Sequence, residues 1–175
     1  VIGEMPMSIF YPTALRERIT DITPEELRAM GVRGLLLDVD NTLTRFHSQE
    51  LSADVRAWLN RMEAEGFAMT IVSNGWPRRV RPFAEKVGLR SIAFACKPSP
   101  IGYFRAARRL RLPLKECVAI GDQVFTDVLA ARLAGIRIIQ LMPIELETDR
   151  PTIMFKRRLE KGLVRRYRAR QEDMG

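Results

Sequence analysis

Residues 35–44, LLLDVDNTLT, set three leucines directly before two aspartates, Asp38 and Asp40, that stand two positions apart. The apolar run Leu35–Leu37 predicts a strand buried on both faces, as in parallel sheets covered by helices. Residues two apart on a strand point the same way, so Asp38 and Asp40 converge at the strand's carboxyl end. Ligands bind at that end in open α/β sheets. Two carboxylates forced together repel unless a proton or a cation separates them. The pair therefore implies a metal, a shared proton or a reaction.

Outward from this stretch, strands alternate with helical patterns. Upstream, residues 1–22 carry Pro6 and Pro12 among Ile9, Phe10, Tyr11 and Leu15 and read as an irregular arm packed on the core. Thr23-Pro24-Glu25-Glu26 reads as a helix start, with Thr23 as N-cap and Glu26 completing a capping box. The opening strand spans about Gly34 to Val39. Downstream, Ser52 caps a helix to about Glu65, and Phe67 to Ser73 is a strand. A helix from about Pro77 stops at Gly88. Ser91 to Ala95 is a short strand, about Ile101 to Leu110 a helix, and Cys117 to Ile120 a strand. Val124 to Ala134 is a helix and Ile136 to Met142 the last strand. This order predicts an α/β fold: a three-layer α/β/α, Rossmann-like parallel sheet of about five strands.

The chain of 175 residues is 46% hydrophobic, which suits one domain over residues 1–175. Cys96 and Cys117 have no metal-ligand spacing and fit a reducing compartment as small core residues. The sequence shows neither a secretory signal nor a bilayer-spanning apolar run, so a cytoplasmic protein is expected. The net charge is +8, and residues 156–170, KRRLEKGLVRRYRAR, hold eight bases and one acid. On this count the basic character is C-terminal. A basic helix over about 151–170, with Phe155, Leu159 and Leu163 recurring every four residues, reads as an element for an anionic membrane surface or for nucleic acid, or as a solvated helix that only covers the sheet. Peripheral attachment at the inner face of a membrane follows from the first of these.

Three more polar sites fall at strand ends: Ser73-Asn74, Lys97, and Asp122 with Asp127 five residues on. A hydroxyl beside a helix N-terminus suits a phosphate oxygen, and lysine supplies a point charge for the same group. Clustered carboxylates bind Mg²⁺ through one or two direct ligands and waters. An acidic metal site, an anion cradle and a nucleophile are the parts of phosphoryl transfer. Taken singly, Asp122 and Asp127 would serve as helix caps, Ser73-Asn74-Gly75 as a turn, and Lys97 as a solvated lysine. His47, the only histidine, reads as a surface-loop residue, and Trp58 as packed.

The motifs DVDNT (38–42), SN (73–74), KP (97–98) and GDQVFTD (121–127), in this order and each after a strand, resemble the haloacid dehalogenase superfamily of phosphohydrolases. With ITDITPEEL (19–27) upstream and the basic C-terminus, the chain resembles more narrowly the YqeG-type phosphatases. That group includes phosphatidylglycerophosphate phosphatases of mitochondria and plastids. The resemblance implies Asp38 as the nucleophile that forms an aspartyl-phosphate and Asp40 as general acid and then base. It implies Mg²⁺ on Asp38, Asp122 and the backbone carbonyl of Asp40, with Asp127 direct or through water. Ser73 and Asn74 would hold the phosphate, and Lys97 would screen its charge from the nucleophile.

Members of that superfamily commonly insert a cap domain. Here 32 residues separate Asp40 from Ser73 and 22 separate Asn74 from Lys97, so a capless, open site is expected, screened at most by Arg45–Glu50. Such a site suits a lipid head group, with phosphatidylglycerophosphate as the leading substrate. The alternatives are a soluble phosphatase of a small metabolite, such as a sugar phosphate or nucleotide, and a basic RNA- or ribosome-binding module on the same fold. Arg78, Arg79 and Arg81 add positive potential at the mouth.

Overall fold

The computed structural model describes residues 8–144 and 151–172, for 151–157 as backbone alone. Its centre is β2 (Gly34–Leu37), whose residues are all buried. Leu35 and Leu37 pack with α1 (Pro24–Ala29), α2 (Ala53–Ala64) and α3 (Pro77–Lys86) on one face of the sheet. Leu36 points the other way, into a layer with α4 (Ile101–Leu110), α5 (Leu129–Ala134) and α6 (Pro151–Glu172). Each leucine is fully buried, and each contributes about 1.5–3 kcal/mol by leaving water.

Around β2 lie β3 (Ala68–Val72), β4 (Arg90–Ile92), β5 (Cys117–Gly121) and β6 (Arg137–Leu141). With β1 (Ala14–Arg16) they form a parallel sheet in the order β1-β6-β5-β2-β3-β4. The sequence predicts five strands and the structure has six. The addition is β1, inside the stretch read as an irregular arm, where Ala14 lies opposite Ile139 and Arg16 opposite Leu141. Three half-buried residues carry no legible alternation, and it is the free edge of β6 that makes them a strand.

From β2 the chain first builds outward through β3 and β4, then crosses back to place β5 on the other side of β2. The order reverses between β2 and β5, and a crevice opens there beyond the strands' carboxyl ends. Asp38 extends the ladder one step, its amide donating to the Ile120 carbonyl at 2.9 Å. One helix, α2, fills the interval from β2 to β3, and one, α3, that from β3 to β4.

Several local expectations change in detail. Thr23 caps α1 by accepting from the Glu26 amide at 3.1 Å, but the Glu26 carboxylate pairs with Arg16 and leaves the capping box half-formed. Ser52 precedes α2, yet its hydroxyl donates to Asp54 rather than capping the helix. Trp58 is buried as expected and donates to the Ile22 carbonyl at 2.8 Å. Cys117 is buried, whereas Cys96 is exposed on a backbone with φ of 57°. The helix expected over Val124–Ala134 begins with a wide π turn, Val124–Val128, before α5.

α6 lies against the protein rather than apart from it. Leu163 and Val164 pack on the second core layer, and Tyr167 is buried with its hydroxyl donating to the Thr13 carbonyl at 3.3 Å. Arg158, Lys161, Arg165, Arg166 and Arg168 remain exposed. Phe155, Lys156 and Arg157, part of the amphipathic pattern read from the sequence, have side chains outside the described residues.

Candidate active site

Between Val39 and Thr44 the chain turns tightly. The Val39 carbonyl accepts from the Leu43 amide at 3.0 Å and the Thr44 amide at 3.2 Å, and Asn41 takes a φ of 59°. This turn sends the two aspartates to different cations. Asp38, buried, pairs with Lys97 Nζ at 2.6 Å. Asp40, half-buried, pairs with Arg79 and accepts from the His47 amide at 2.9 Å. Both aspartates line one cleft of about 390 Å³ at the sheet's carboxyl end, so they converge on it without sharing a charge.

Lys97 is the hub of the buried half. Its ammonium donates to Asp38 at 2.6 Å, to Asp127 at 2.6 Å and to the Val72 carbonyl at 2.9 Å, which uses all three of its protons. The lysine is placed by Asn74, whose side-chain oxygen accepts from the Lys97 amide at 2.7 Å while its nitrogen donates to the Lys97 carbonyl at 2.9 Å. The Asn74 side chain thus ties the loops after β3 and β4 together, and the residue lines the cleft.

Ser73 is buried at the end of β3, its Oγ accepting from the Gly75 amide at 3.1 Å. Asp127 rides on the π turn after β5, a feature frequent at functional sites, with Oδ2 accepting from the Gln123 amide at 3.1 Å. Gly121 makes room for it: a Cβ there would stand 2.5 Å from Asp127 Cγ. Asp122 is buried beside them, and oxygens of Asp38, Asp122 and Asp127 lie within 4.8 Å of one another.

Charge is short of balance here. Burial pushes Asp38 up to about 7; Lys97 pulls it back and Asp127 pushes it further. Burial alone would lower Lys97, but Asp127 and Asp38 outweigh it and hold its ammonium far above the ordinary value. Burial keeps the phenol of Tyr103, beneath the site, protonated. Two buried carboxylates sharing one ammonium, with a third carboxylate in reach, fit a hard divalent cation held by oxygens.

The structure brings together all of the residues singled out from sequence: Asp38, Asp40, Ser73, Asn74, Lys97, Asp122 and Asp127. His47 is exposed, as expected, yet it lines the cleft with Phe46 and anchors Asp40 through its amide. Arg79, expected only to add potential at the mouth, is the direct partner of Asp40. Gly121 and the side-chain role of Asn74 went unread. For Gly121 the available signal was a glycine placed directly before a strand-end aspartate.

Comparison with known proteins shows the family and the fold. The profile of the haloacid dehalogenase-like hydrolases matches residues 47–135; it begins past Asp38 and Asp40 and takes in Ser73, Lys97, Asp122 and Asp127. The chain is 34% identical over 160 residues to the probable phosphatase YqeG of Bacillus subtilis, covering 91% of this chain and 92% of that one. It is 22% identical over 152 residues to phosphatidylglycerophosphate phosphatase 1, chloroplastic/mitochondrial, of Arabidopsis thaliana, with 82% of this chain aligned but only 44% of the relative's length. Two solved structures share the fold. One is a protein of Listeria monocytogenes, with a TM-score of 0.56 and 17% identity over 69% of this chain and 85% of that one. The other is a hydrolase of Pseudomonas syringae, with a TM-score of 0.51 and 15% identity over 62% and 83%.

Proposed function

Because the chain belongs to the haloacid dehalogenase-like hydrolases and is a phosphatase of that family, we propose that it is a Mg²⁺-dependent phosphomonoesterase working through a phosphate ester of Asp38. The observation that carries this reading is Lys97 Nζ set 2.6 Å from both Asp38 and Asp127 beside a third carboxylate, Asp122, at a strand-end cleft. Asp38, Asp122 and the Asp40 carbonyl would hold the cation, with Asp127 direct or through water. When bound, Mg²⁺ would neutralise charge on the phosphoryl oxygens.

The chain's own residues do the rest. Ser73 Oγ and the Asn74 amide hold the phosphoryl oxygens, and the Lys97 charge keeps them from repelling Asp38. An Asp38 oxygen attacks phosphorus as the bond to the leaving oxygen breaks, and Asp40 gives that oxygen a proton. Asp40 then takes a proton from water as the water attacks phosphorus and releases Asp38. Inorganic phosphate and an alcohol leave, and Asp40 is again protonated.

The leading substrate is phosphatidylglycerophosphate, dephosphorylated to phosphatidylglycerol. The open cleft and the likeness to a phosphatase of that name support it. Among the described residues no helix is long and apolar enough to cross a membrane, so the lipid would be met at a surface, with the exposed basic side chains of α6 adding attraction. Phosphate release should be measured from phosphatidylglycerophosphate in mixed micelles, from sugar phosphates and from nucleotides, with Mg²⁺ and with chelator. Fast release from the lipid only, lost in Asp38→Asn, supports the proposal. Release that survives in Asp38→Asn overturns the nucleophile, and equal rates on soluble esters overturn the lipid.

A further inference from the structure

Four of the large apolar side chains exposed among the described residues, Trp76, Phe94, Ile101 and Phe104, gather at one corner of the molecule. The corner is the carboxyl end of β3 and β4, where α3 and α4 begin on opposite faces of the edge strand β4. Trp76 is 63% exposed at the start of α3, and Phe94, 52% exposed, follows β4. Their rings stack with centroids 5.1 Å apart and planes 28° from parallel. Gly102 packs against Ala95, which brings the first turn of α4, with Ile101 and Phe104, beside the Phe94 loop.

This corner is neither core nor accident of a mobile loop. Phe94 takes a φ of 50°, a region that a bulky side chain rarely adopts. Its loop is fastened to the phosphate end of the site: the Phe94 amide donates to the Gly75 carbonyl, and the Ala95 amide to the Ser73 carbonyl, each at 3.0 Å. A strained backbone therefore holds an aromatic ring out in water at a fixed distance from Ser73. Such strain persists where function uses it.

The charge around the corner has one sign. Residues 73–114, from the end of β3 to just past α4, contain ten bases and one acid, Glu85. This is a second basic region, hidden in the sequence total because acids elsewhere offset it. It corrects the expectation that the basic character is only C-terminal. Arg78 and Arg81 on α3 and Arg105 and Arg108 on α4 make no ion pair among the described residues. Arg105 and Arg108 continue the exposed stripe of α4 begun by Ile101 and Phe104. Aromatic side chains ringed by unpaired arginines match a bilayer interface with anionic lipids. Each basic residue near such a surface is worth roughly fivefold in affinity.

We propose that the Trp76–Phe94 corner, with Ile101 and Phe104 and the arginines Arg78, Arg81, Arg105 and Arg108, is the surface by which the protein docks on an anionic lipid bilayer. Because Trp76 and Arg78 also line the catalytic cleft, docking there brings the cleft's mouth to the head-group plane. On α6, Leu163, Val164 and Tyr167 are turned onto the protein, and among its described side chains Leu159 is the large apolar one left exposed. RNA fits the corner less well: one face of Trp76 is already covered by Phe94, and Ile101 stacks on no base. The inference rests on the lipid-phosphate reading of the site.

Vesicles of equimolar phosphatidylglycerol and phosphatidylcholine, and of phosphatidylcholine alone, test it by flotation and by tryptophan emission. Trp58 is buried, so a blue shift on binding reports Trp76. Wild type should float and shift with the anionic vesicles alone. The double variant Phe94→Asn with Phe104→Ser should bind them about tenfold or more weakly while turning over p-nitrophenyl phosphate as the wild type does. Asn accepts the backbone of Phe94, so loss of fold does not confound the result. Arg105→Gln with Arg108→Gln should weaken binding with a smaller salt dependence. A double aromatic variant that floats like wild type overturns the docking surface, as does salt-sensitive binding of wild type to single-stranded RNA with none to vesicles. Wild type that floats as described but leaves phosphatidylglycerophosphate intact in micelles overturns the substrate and not the surface.

Discussion

Gly121→Ala tests whether the position of Asp127 matters to the chemistry. The added Cβ would stand 2.5 Å from Asp127 Cγ and 2.7 Å from Oδ2, whereas carbon atoms in contact sit about 3.5 Å apart. The carboxylate must therefore retreat by about 1 Å. It is not free to do so, because Oδ1 is held by Lys97 at 2.6 Å and Oδ2 by the Gln123 amide at 3.1 Å. Retreat breaks one of these bonds and spreads the three carboxylates that face each other within 4.8 Å. Overpacking of this kind costs about 1–3 kcal/mol. In a chain of this size, each kcal/mol lowers Tm by about 2–4 °C. A displacement of about 1 Å at reacting groups costs on the order of 100-fold in rate. The expected variant is folded, a few degrees less stable, about 100-fold slower with p-nitrophenyl phosphate, and needs more Mg²⁺ for half-maximal rate. Steady-state kinetics over a Mg²⁺ titration and a thermal melt measure all three. A lower Tm with unchanged kcat and Mg²⁺ midpoint would refute the reasoning, because Asp127 would then have moved without consequence.

Lys97→Met leaves Asp38 and Asp127 buried without their ammonium, which costs about 3–5 kcal/mol in metal-free protein. Urea unfolding should show that loss, and Mg²⁺ should recover more stability in the variant than in wild type; equal recovery argues against a shared cation site. Asn74→Ala removes both bonds to the Lys97 backbone, so kcat should fall while far-ultraviolet circular dichroism stays native, and an unaltered kcat would show that Lys97 is placed by something else. Metal-free folded protein keeps the Asp38 proton to about pH 7, whereas the unfolded chain loses it near pH ~4. Between these values the folded state holds the extra proton, so this group's contribution to stability falls as pH rises. Mg²⁺ competes with that proton, and its stabilising shift in Tm should grow over the same window; a flat shift counts against the assignment. Phe94→Asn alone, by relieving the positive φ, should raise Tm slightly, and a lower Tm would mean that Phe94 packs better than its exposure shows.

The layers of the fold were legible because β2 carries its information in its burial. Leu35, Leu36 and Leu37 are apolar on both faces, which only a covered parallel sheet demands. Strand ends were also marked, since Asp38, Ser73 and Asp122 sit one position past Leu37, Val72 and Gly121, and Lys97 follows Ile92 within one short loop. β1 was not legible: Ala14–Arg16 has no pattern of its own and exists through pairing with β6. The π turn at Val124–Val128 was missed for a related reason. Its hydrophobic spacing suits an ordinary helix, and the extra residue per turn serves to aim Asp127 at Lys97.

At the site, period-two reasoning put Asp38 and Asp40 on one side, and it failed where its premise ended. The strand stops at Leu37, so the 39–44 turn, not the pleat, decides where Asp40 points. The carboxylates meet the same cleft but answer to separate cations, Lys97 and Arg79. No spacing rule links Asp40 to a residue 39 positions later; only the return of α3 beside β2 brings them together. The same holds for the rim. Trp76, Phe94 and the arginines of α3 and α4 are scattered along residues 76–108 and share a corner because β4 is an edge strand flanked by both helices. Chemistry carried by residues next to a strand end could be read from the sequence. Chemistry that depends on two elements meeting could not, and both the partner of Asp40 and the basic aromatic corner are of that second kind.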